Sequence, residues 1–307
     1  MKNTINYYYN VNINNLIKTN DYYYFYINKT RYNFVRYNRP IGDVEALYKL
    51  NYDMLQNGCI VNQIILNKDS SPITIINNIP FVLLKINHIT QNDNIINDIF
   101  YIQNHTYNIN FDKILLRDDW IKLWTEKIDY YEYQISQLGK KYPILCNSLS
   151  YFIGIGENAI SYLINNQSKS TKRLVVSHRR IDMSENISEF YNPLNFIIDC
   201  RSRDIAEYIK NAFFVGNIRF GEINLYFDYI NFTKEEYINL FSRLLFPTYY
   251  FDIYDEIINN NKNENEIIPI LEKTNEYEKF LVAIYEYITN KKQVSIEPVE
   301  WLFKSYS

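Results

Sequence analysis

The chain has 307 residues, 47% hydrophobic and 22% charged, enough to bury a full core as one bilobal unit or two small domains, and too apolar for a disordered segment. Its 32 basic and 35 acidic residues leave a formal charge of -3, which gives no electrostatic reason to expect nucleic acid or an anionic membrane as a partner. The cysteines, Cys59, Cys146 and Cys200, are odd in number and lack a C-x-x-C pair, so neither a disulfide framework nor a zinc site is signalled and a reducing compartment fits.

The first residues, MKNTINYYYNVNINN, lack the apolar core of a signal peptide, and no later stretch approaches the roughly 18 uninterrupted apolar residues of a membrane span. The expected address is the cytoplasm. Tyrosine is abundant, 31 residues beside 18 Phe and 3 Trp, and with the many Asn, Ile and Lys it reflects AT-rich codons more than tyrosine-specific chemistry.

Taken in chain order, Tyr22 to Ile27 and Tyr32 to Tyr37 are strand-prone runs around a turn at Asn28-Lys29, which predicts a hairpin with Arg36 in its second strand. After Pro40 and Gly42, Val44, Leu47, Leu50, Met54 and Leu55 recur at helical spacing up to Gly58, with Glu45 in the first turn. Strand runs follow at Val61 to Leu66, Ile73 to Ile76 and Phe81 to Ile86. Residues 90 to 112 are polar, asparagine-rich and weakly patterned, which predicts a connector. His88 and His105 border or lie in that stretch and have no partner at metal-ligand spacing.

Beyond the connector the pattern is helical. An apolar stripe from Trp120 to Leu138 stops at Gly139, and Ser148 to Ile164 forms a second helix containing Gly154-Ile155-Gly156. That glycine pair lacks the third glycine of a nucleotide-binding turn and falls inside a helical pattern, so close helix packing is its expected role. More helices are predicted at Arg203 to Phe213, Lys234 to Phe246 and Tyr277 to Thr289, with residues 258 to 276 as a mobile or exposed loop.

Residues 173 to 209 carry the chemistry. A strand-like run, Arg173 to Ser177, delivers His178-Arg179-Arg180, and a second apolar run, Asn195 to Ile198, delivers Asp199. In the kinase signature, His-Arg-Asp opens a catalytic loop that ends in a metal-binding asparagine, and a later aspartate holds magnesium. Here Arg180 stands where the base is expected, and a guanidinium cannot accept a proton from a hydroxyl.

The whole order resembles the aminoglycoside phosphotransferase-like kinases, and within them the bacterial spore-coat kinase-like branch. Four places carry the resemblance: Tyr151 to Leu163, the His178 loop, Ile198-Asp199 with Arg203 to Glu207, and Arg243 to Asp252. It implies an α+β, bilobal protein kinase-like fold, with a mostly β N-lobe over residues 1–89, a hinge or connector over 90–116 and a helical C-lobe over 117–307. It also implies ATP and Mg2+ as cofactors if the site works, with Asp199 and Asn186 as metal ligands. Arg36 takes the place of the phosphate-contacting strand lysine, and Glu45 that of its helix partner. Phe81 to Asn87 matches the hinge, with Leu84 and Ile86 beside an adenine, and Asp204 matches an aspartate that braces the catalytic loop.

The departures set the functional expectation. Arg180 replaces the base, Glu185 stands where the metal-binding asparagine belongs with Asn186 one residue late, and no glycine-rich loop is visible over residues 7 to 21. His178 is expected to support its loop by hydrogen bonding. The leading expectation is a kinase-fold pseudoenzyme that binds or scaffolds, with a spore-coat or other protein partner implied by the branch it resembles. The alternative is an active ATP-dependent phosphotransferase acting on a small-molecule or protein hydroxyl, with Asp199 on magnesium and Asp182 as a substitute base.

Overall fold

A computed structural model of the chain describes residues 1–87, 95–117, 119–138, 140–166, 173–181, 187–216, 227–228 and 230–304. The chain forms two compact units. The first comprises Met1–Arg117, Leu174–Arg180 and Ser184–Asp199; the second comprises Asp118–Arg173, Ile181–Met183 and Cys200–Ser307.

The first unit opens with helix α1 (Lys2–Tyr9), followed by strands β1 (Ile17–Lys18), β2 (Tyr22–Ile27) and β3 (Thr30–Arg36). Helix α2 (Val44–Gln56) then leads to β4 (Gln63–Ile65), β5 (Thr74–Ile76), β6 (Ile79–Lys85) and helix α3 (Ile95–Thr106). The strands form an antiparallel sheet ordered β1-β2-β3-β6-β4, with β5 on the far end of β6. Two asparagine-bearing turns close its hairpins. Asn28-Lys29 joins β2 to β3 and Asn77-Asn78 joins β5 to β6, all four residues at positive φ, the backbone that a two-residue hairpin matching the strand twist requires. Asparagine tolerates that conformation better than other side chains do, which lets the hairpins form without glycine.

Strand alternation gives the sheet two apolar faces. Phe25, Phe34, Phe81 and Leu83 pack with Ile5 of α1 and Ile13, with Phe34 and Phe81 stacked at 4.8 Å. Ile64, Val82 and Leu84 on the other face pack with Leu47, Leu50 and Met54 of α2. Buried Asn51 pins that helix to the sheet: its Nδ2 donates to Asn62 O at 2.8 Å, and its Oδ1 accepts from Ile64 N at 2.9 Å.

The expected connector over 90–116 is corrected by α3. Ile96, Ile99, Ile102 and Thr106 are buried at three- and four-residue spacing, a helical stripe that the surrounding asparagines obscure. Two further strands, β7 (Leu174–His178) and β8 (Phe196–Cys200), pair with each other, and all but Cys200 belong to this first unit, although the C-lobe was expected to hold them.

The second unit is helical: α4 (Trp120–Leu138), α5 (Pro143–Asn166), α6 (Ser202–Gly216), α7 (Lys234–Leu245), α8 (Thr248–Asn259) and α9 (Ile268–Glu286). A capping box starts α7, with Glu236 N donating to Thr233 Oγ1 at 3.2 Å and Thr233 N to Glu236 Oε2 at 2.8 Å. The loop expected over 258–276 is mostly ordered: a 3-10 turn at Glu264–Ile267 runs into α9, because Ile267 and Ile270 are buried. Glu264 Oε1 accepts from Leu145 N at 2.8 Å, placing a carboxylate on the first turn of α5. Close packing holds at Gly156, where a Cβ would come within 2.9 Å of Ile128 Cδ1, whereas Gly154 has open space. No described helix is long and apolar enough to cross a membrane.

Candidate functional site

In a kinase the phosphates lie beneath a glycine-rich β-turn. The corresponding connection here, between β1 and β2, is the tight segment Thr19-Asn20-Asp21. Thr19 N and Oγ1 both donate to Tyr22 O at 2.8 Å, and Thr19 Oγ1 accepts from Tyr22 N at 3.0 Å. These bonds spend the turn's polar groups within the turn. No glycine provides close backbone approach to an anion.

The strand cation also falls differently from its expected place. Arg36 pairs with Phe81 in register, so alternation puts it on the sheet face that carries Phe34, while Asn33 and Val35 share the α2 face with Leu84 and Val82. Arg36 and Glu45 are both exposed, and no ion pair joins them among the described residues. The sheet position facing α2 is instead taken by Asn33, 2% exposed, whose Oδ1 accepts from Arg31 Nε at 2.9 Å.

A different pair is buried nearby. Arg39 and Asp43 flank Pro40-Ile41-Gly42 and meet at 2.9 Å with side chains 3% exposed each. Both Nε and Nη2 of Arg39 donate to Asp43 Oδ2, while its Nη1 donates to Phe196 O at 2.7 Å and Leu194 O at 3.2 Å. The guanidinium therefore fastens the N-terminus of α2 to the start of β8. Sequence reasoning missed this pair; the signal was an Arg and an Asp four residues apart around a Pro-Gly turn.

In the segment expected to be the hinge, Leu84 is buried within β6 with β3 on one side and β4 on the other. Ile86 N donates to Arg31 O at 2.9 Å and Asn87 N to Asn62 Oδ1 at 3.3 Å, so these two N–H groups already have partners. His88 lies outside the described residues, and His105 of α3 bonds through Nδ1 to Tyr101 O at 2.8 Å.

The β7 and β8 segments hold the remaining expected site. His178, 1% exposed, ends β7; its Nε2 bonds Phe190 O at 2.8 Å, and its ring packs on Phe190 at 4.2 Å and edge-on to Phe196. Next to it Arg179 N donates to Asn195 O at 2.8 Å, and Asn195 Nδ2 donates to Arg180 O at 3.0 Å, so Asn195, in the turn before β8, braces the backbone of the loop. The side chains of Arg179 and Arg180 are on exposed residues. Partial burial of its charged end lowers the Arg179 pKa, and repulsion from Arg39, Arg117 and Arg180 lowers it further against the pull of Asp43. Asp199 lies inside β8 and is fully buried. Asp182, Glu185 and Asn186 lie outside the described residues. Among the described residues no three His, Cys, Asp or Glu side chains gather as a metal site. Of the expected metal ligands the described residues include Asp199 alone, as a fully buried carboxylate.

Past Asp199, two motif segments meet inside the second unit. Lys210 Nζ, on α6, donates to Glu207 Oε1 at 3.0 Å, Arg243 O at 2.8 Å, Phe246 O at 3.3 Å and Thr248 Oγ1 at 2.6 Å. Thr248 Oγ1 in turn donates to Glu207 Oε2 at 3.1 Å. The network locks the α7–α8 corner onto α6, and the Arg243 guanidinium lies 3.9 Å from the Trp120 ring centroid. Burial raises the Glu207 carboxyl, but Lys210, Arg203 and Arg243 outweigh it and hold it near about 2. Lys210 was absent from the sequence expectations, since a lysine on an amphipathic helix carries no signal of burial.

The family described as spore coat putative kinase YutH matches residues 2–284. The chain belongs to this family. Within the spore coat YutH family, the endospore coat-associated protein YutH of Bacillus subtilis (strain 168) is 28% identical over 211 residues, 61% of this chain. The match spans 62% of that relative's length. Among solved structures, an aminoglycoside phosphotransferase from Alicyclobacillus acidocaldarius superposes with a TM-score of 0.68 at 12% identity, covering 91% of this chain and 94% of the other. A spectinomycin phosphotransferase in complex with ADP and spectinomycin gives a TM-score of 0.60 at 14% identity, covering 98% and 96%. This YutH-family chain therefore has the α+β, kinase-like fold of those phosphotransferases.

Proposed function

We propose that this protein is a kinase-fold pseudoenzyme that works by binding, as a scaffold within the spore coat or its assembly. Arg180 carries this reading: a permanently protonated side chain stands where a phosphotransferase needs a group that accepts the acceptor's proton. Three observations support it. The turn between β1 and β2 is closed on itself through Thr19, Asn33 replaces a cation on the α2 face of the sheet, and the N–H groups of Ile86 and Asn87 are engaged. Loss of positioned base catalysis alone removes about 10²- to 10⁴-fold in rate. The spore-coat setting comes from the family and its relative.

A second reading has its own observation. Asp199 is retained in a buried strand position, and spectinomycin phosphotransferase, a structural neighbour, is described with ADP and with AMP bound. An active ATP-dependent phosphotransferase would use Asp199 to hold Mg2+, with Asn186 as second ligand and Asp182 as base.

Thermal unfolding with ATP or ADP, each with and without Mg2+, together with release of labelled γ-phosphate, separates the two. We expect no γ-phosphate transfer to water, protein or aminoglycosides in either the native protein or Asp199→Ala. Mg2+-dependent turnover that disappears in Asp199→Ala would overturn the pseudoenzyme reading.

A further inference from the structure

We propose that the sheet surface formed by Ile17, Tyr22, Tyr24, Tyr26 and Arg31 docks an extended, proline-containing acidic segment of a partner protein. The surface contains neither Arg180 nor Asp199, so it does not depend on whether the protein transfers phosphate.

Strand parity places the patch. Alternation along β2 puts Tyr22, Tyr24 and Tyr26 on one face, while Tyr23, Phe25 and Ile27 belong to or pack against the core on the α1 side. Register adds two neighbours to the tyrosine face: Ile17 of β1 pairs with Tyr24, and Arg31 of β3 pairs with Tyr26. Helix α2 covers the same face further along, over Val82 and Leu84, but none of the five residues belongs to that apolar cluster. Ile17 is 44% exposed and Tyr26 55%, and Tyr22, Tyr24 and Arg31 are half-buried. Contiguous aromatic and aliphatic side chains on an uncovered face mark an interaction site, whereas scattered ones do not.

The side chains hold one another in place. The ring centroids of Tyr22 and Tyr24 lie 6.4 Å apart with the planes at 55°, and those of Tyr24 and Tyr26 lie 6.1 Å apart at 85°. The Arg31 guanidinium sits 4.4 Å from the Tyr24 centroid and 5.7 Å from that of Tyr22. Its Nε donates to Asn33 Oδ1 and its Nη2 to Tyr22 OH, each at 2.9 Å. These partners are neutral, no carboxylate pairs with Arg31 among the described residues, and its Nη1 remains available to a ligand.

Ring geometry and charge select the occupant. A sugar chain stacks on a flat aromatic platform, whereas these neighbouring rings stand at 55° and 85° and leave slots between faces and edges. Prolines of a polyproline II segment fill slots of that kind in aromatic-lined grooves. Tyr22 to Tyr26 cover about 13 Å of strand at about 3.3 Å per residue. A P-x-x-P unit spans about 9 Å at about 3.1 Å per residue, so one unit fits along the ladder. One cation without a carboxylate matches one acidic side chain of that segment, whereas a polynucleotide is held by several cations.

The experiment titrates the full chain by calorimetry with peptides of three Pro-Pro-Glu, three Pro-Pro-Gln or three Ala-Ala-Glu repeats. We expect the Pro-Pro-Glu peptide to bind and the other two to bind about tenfold or more weakly. Arg31→Gln should weaken Pro-Pro-Glu by about tenfold or more, since a charge-assisted hydrogen bond is lost, and leave Pro-Pro-Gln at its native affinity. That selective loss is one that misfolding would not give. Tyr26→Ala removes the most exposed ring of the ladder and should weaken both proline peptides, with thermal melting to show that the fold persists. Tyr52→Ala, 52% exposed on α2 and outside the patch, should leave binding unchanged. No binding at millimolar Pro-Pro-Glu, equal affinity for the Glu and Gln peptides, or unchanged binding in Arg31→Gln would overturn the proposal. Tighter binding of a thymidine oligonucleotide or a cellulose oligosaccharide than of the peptide would overturn it as well. So would self-association in the ultracentrifuge that Tyr26→Ala abolishes, which would assign the surface to a second copy of the chain.

Discussion

Two ion pairs belong to or adjoin the kinase-like signatures of this chain, and they are used differently. In the second unit, Glu207 and Lys210 join residues that the sequence motifs themselves contain, and each polar group named there closes a bond between α6 and the α7–α8 corner. In the first unit, Arg39 and Asp43 lie beside the motif and bind β8 carbonyls, while the motif residue His178 is turned to Phe190 O. Motif positions that hold the fold keep their polar partners. Of those that would serve transfer, Asp199 is kept, Arg180 is exposed and Asn33 is bonded to Arg31. On the proposed reading, the kinase shape is kept by its packing polar groups while the phosphate-handling ones have changed.

The comparison predicts that the second unit's pair matters most for stability. Lys210→Ala would remove four hydrogen bonds and leave Glu207 facing Arg243 without its main partner, and should cost about 3–5 kcal/mol. Urea unfolding monitored by circular dichroism measures it, and a loss below about 1 kcal/mol would mean the network is solvent-relaxed. Asp43→Ala strands Arg39 between two carbonyls and should cost about 2–4 kcal/mol. Such a loss would show that the first unit's pair is structural too. The pH dependence separates the pairs further. Glu207 is held near about 2, below its ordinary carboxylate value, so the unfolded chain binds more protons as the solution is acidified. Its contribution is complete above about pH 4.5 and is lost as pH falls through about 2, amounting to roughly 3 kcal/mol. Acid titration of native protein against Glu207→Gln should show the difference shrinking below pH 4.5.

Much of this was legible and some was not, for identifiable reasons. The β2–β3 hairpin was readable from an aromatic run around Asn28-Lys29, and the stripe from Trp120 to Leu138 was readable from its spacing. Helix α1 went unseen because MKNTINYYY has few aliphatic anchors, and only Ile5 of that helix is buried. Helix α3 was hidden because Asp98 and Gln103 share its buried face with the isoleucines, and Tyr191 OH reaches Asp98 at 2.7 Å across distant sequence. Arg36 as the strand cation failed on parity: one residue of offset in a strand exchanges the two faces. The Arg39–Asp43 pair depends on carbonyls of β8, more than 150 residues away, and no local pattern announces a tertiary partner of that kind.

The smallest expected effect tests the comparison most directly. Arg180→Asp restores an acid at the base position on an exposed loop residue, where substitutions usually change stability by less than about 0.5 kcal/mol. If only the base had changed, this variant would recover phosphotransfer, because the carboxylate could accept a hydroxyl proton. The Thr19 turn, the Asn33 position and the engaged N–H groups of Ile86 and Asn87 each act against that outcome, and none is altered by the substitution. Labelled ATP incubated with Arg180→Asp and Mg2+ should therefore show turnover no higher than in the native protein. A rise of about tenfold or more would place the whole difference in one residue and would mean that the sheet and hinge still receive a nucleotide.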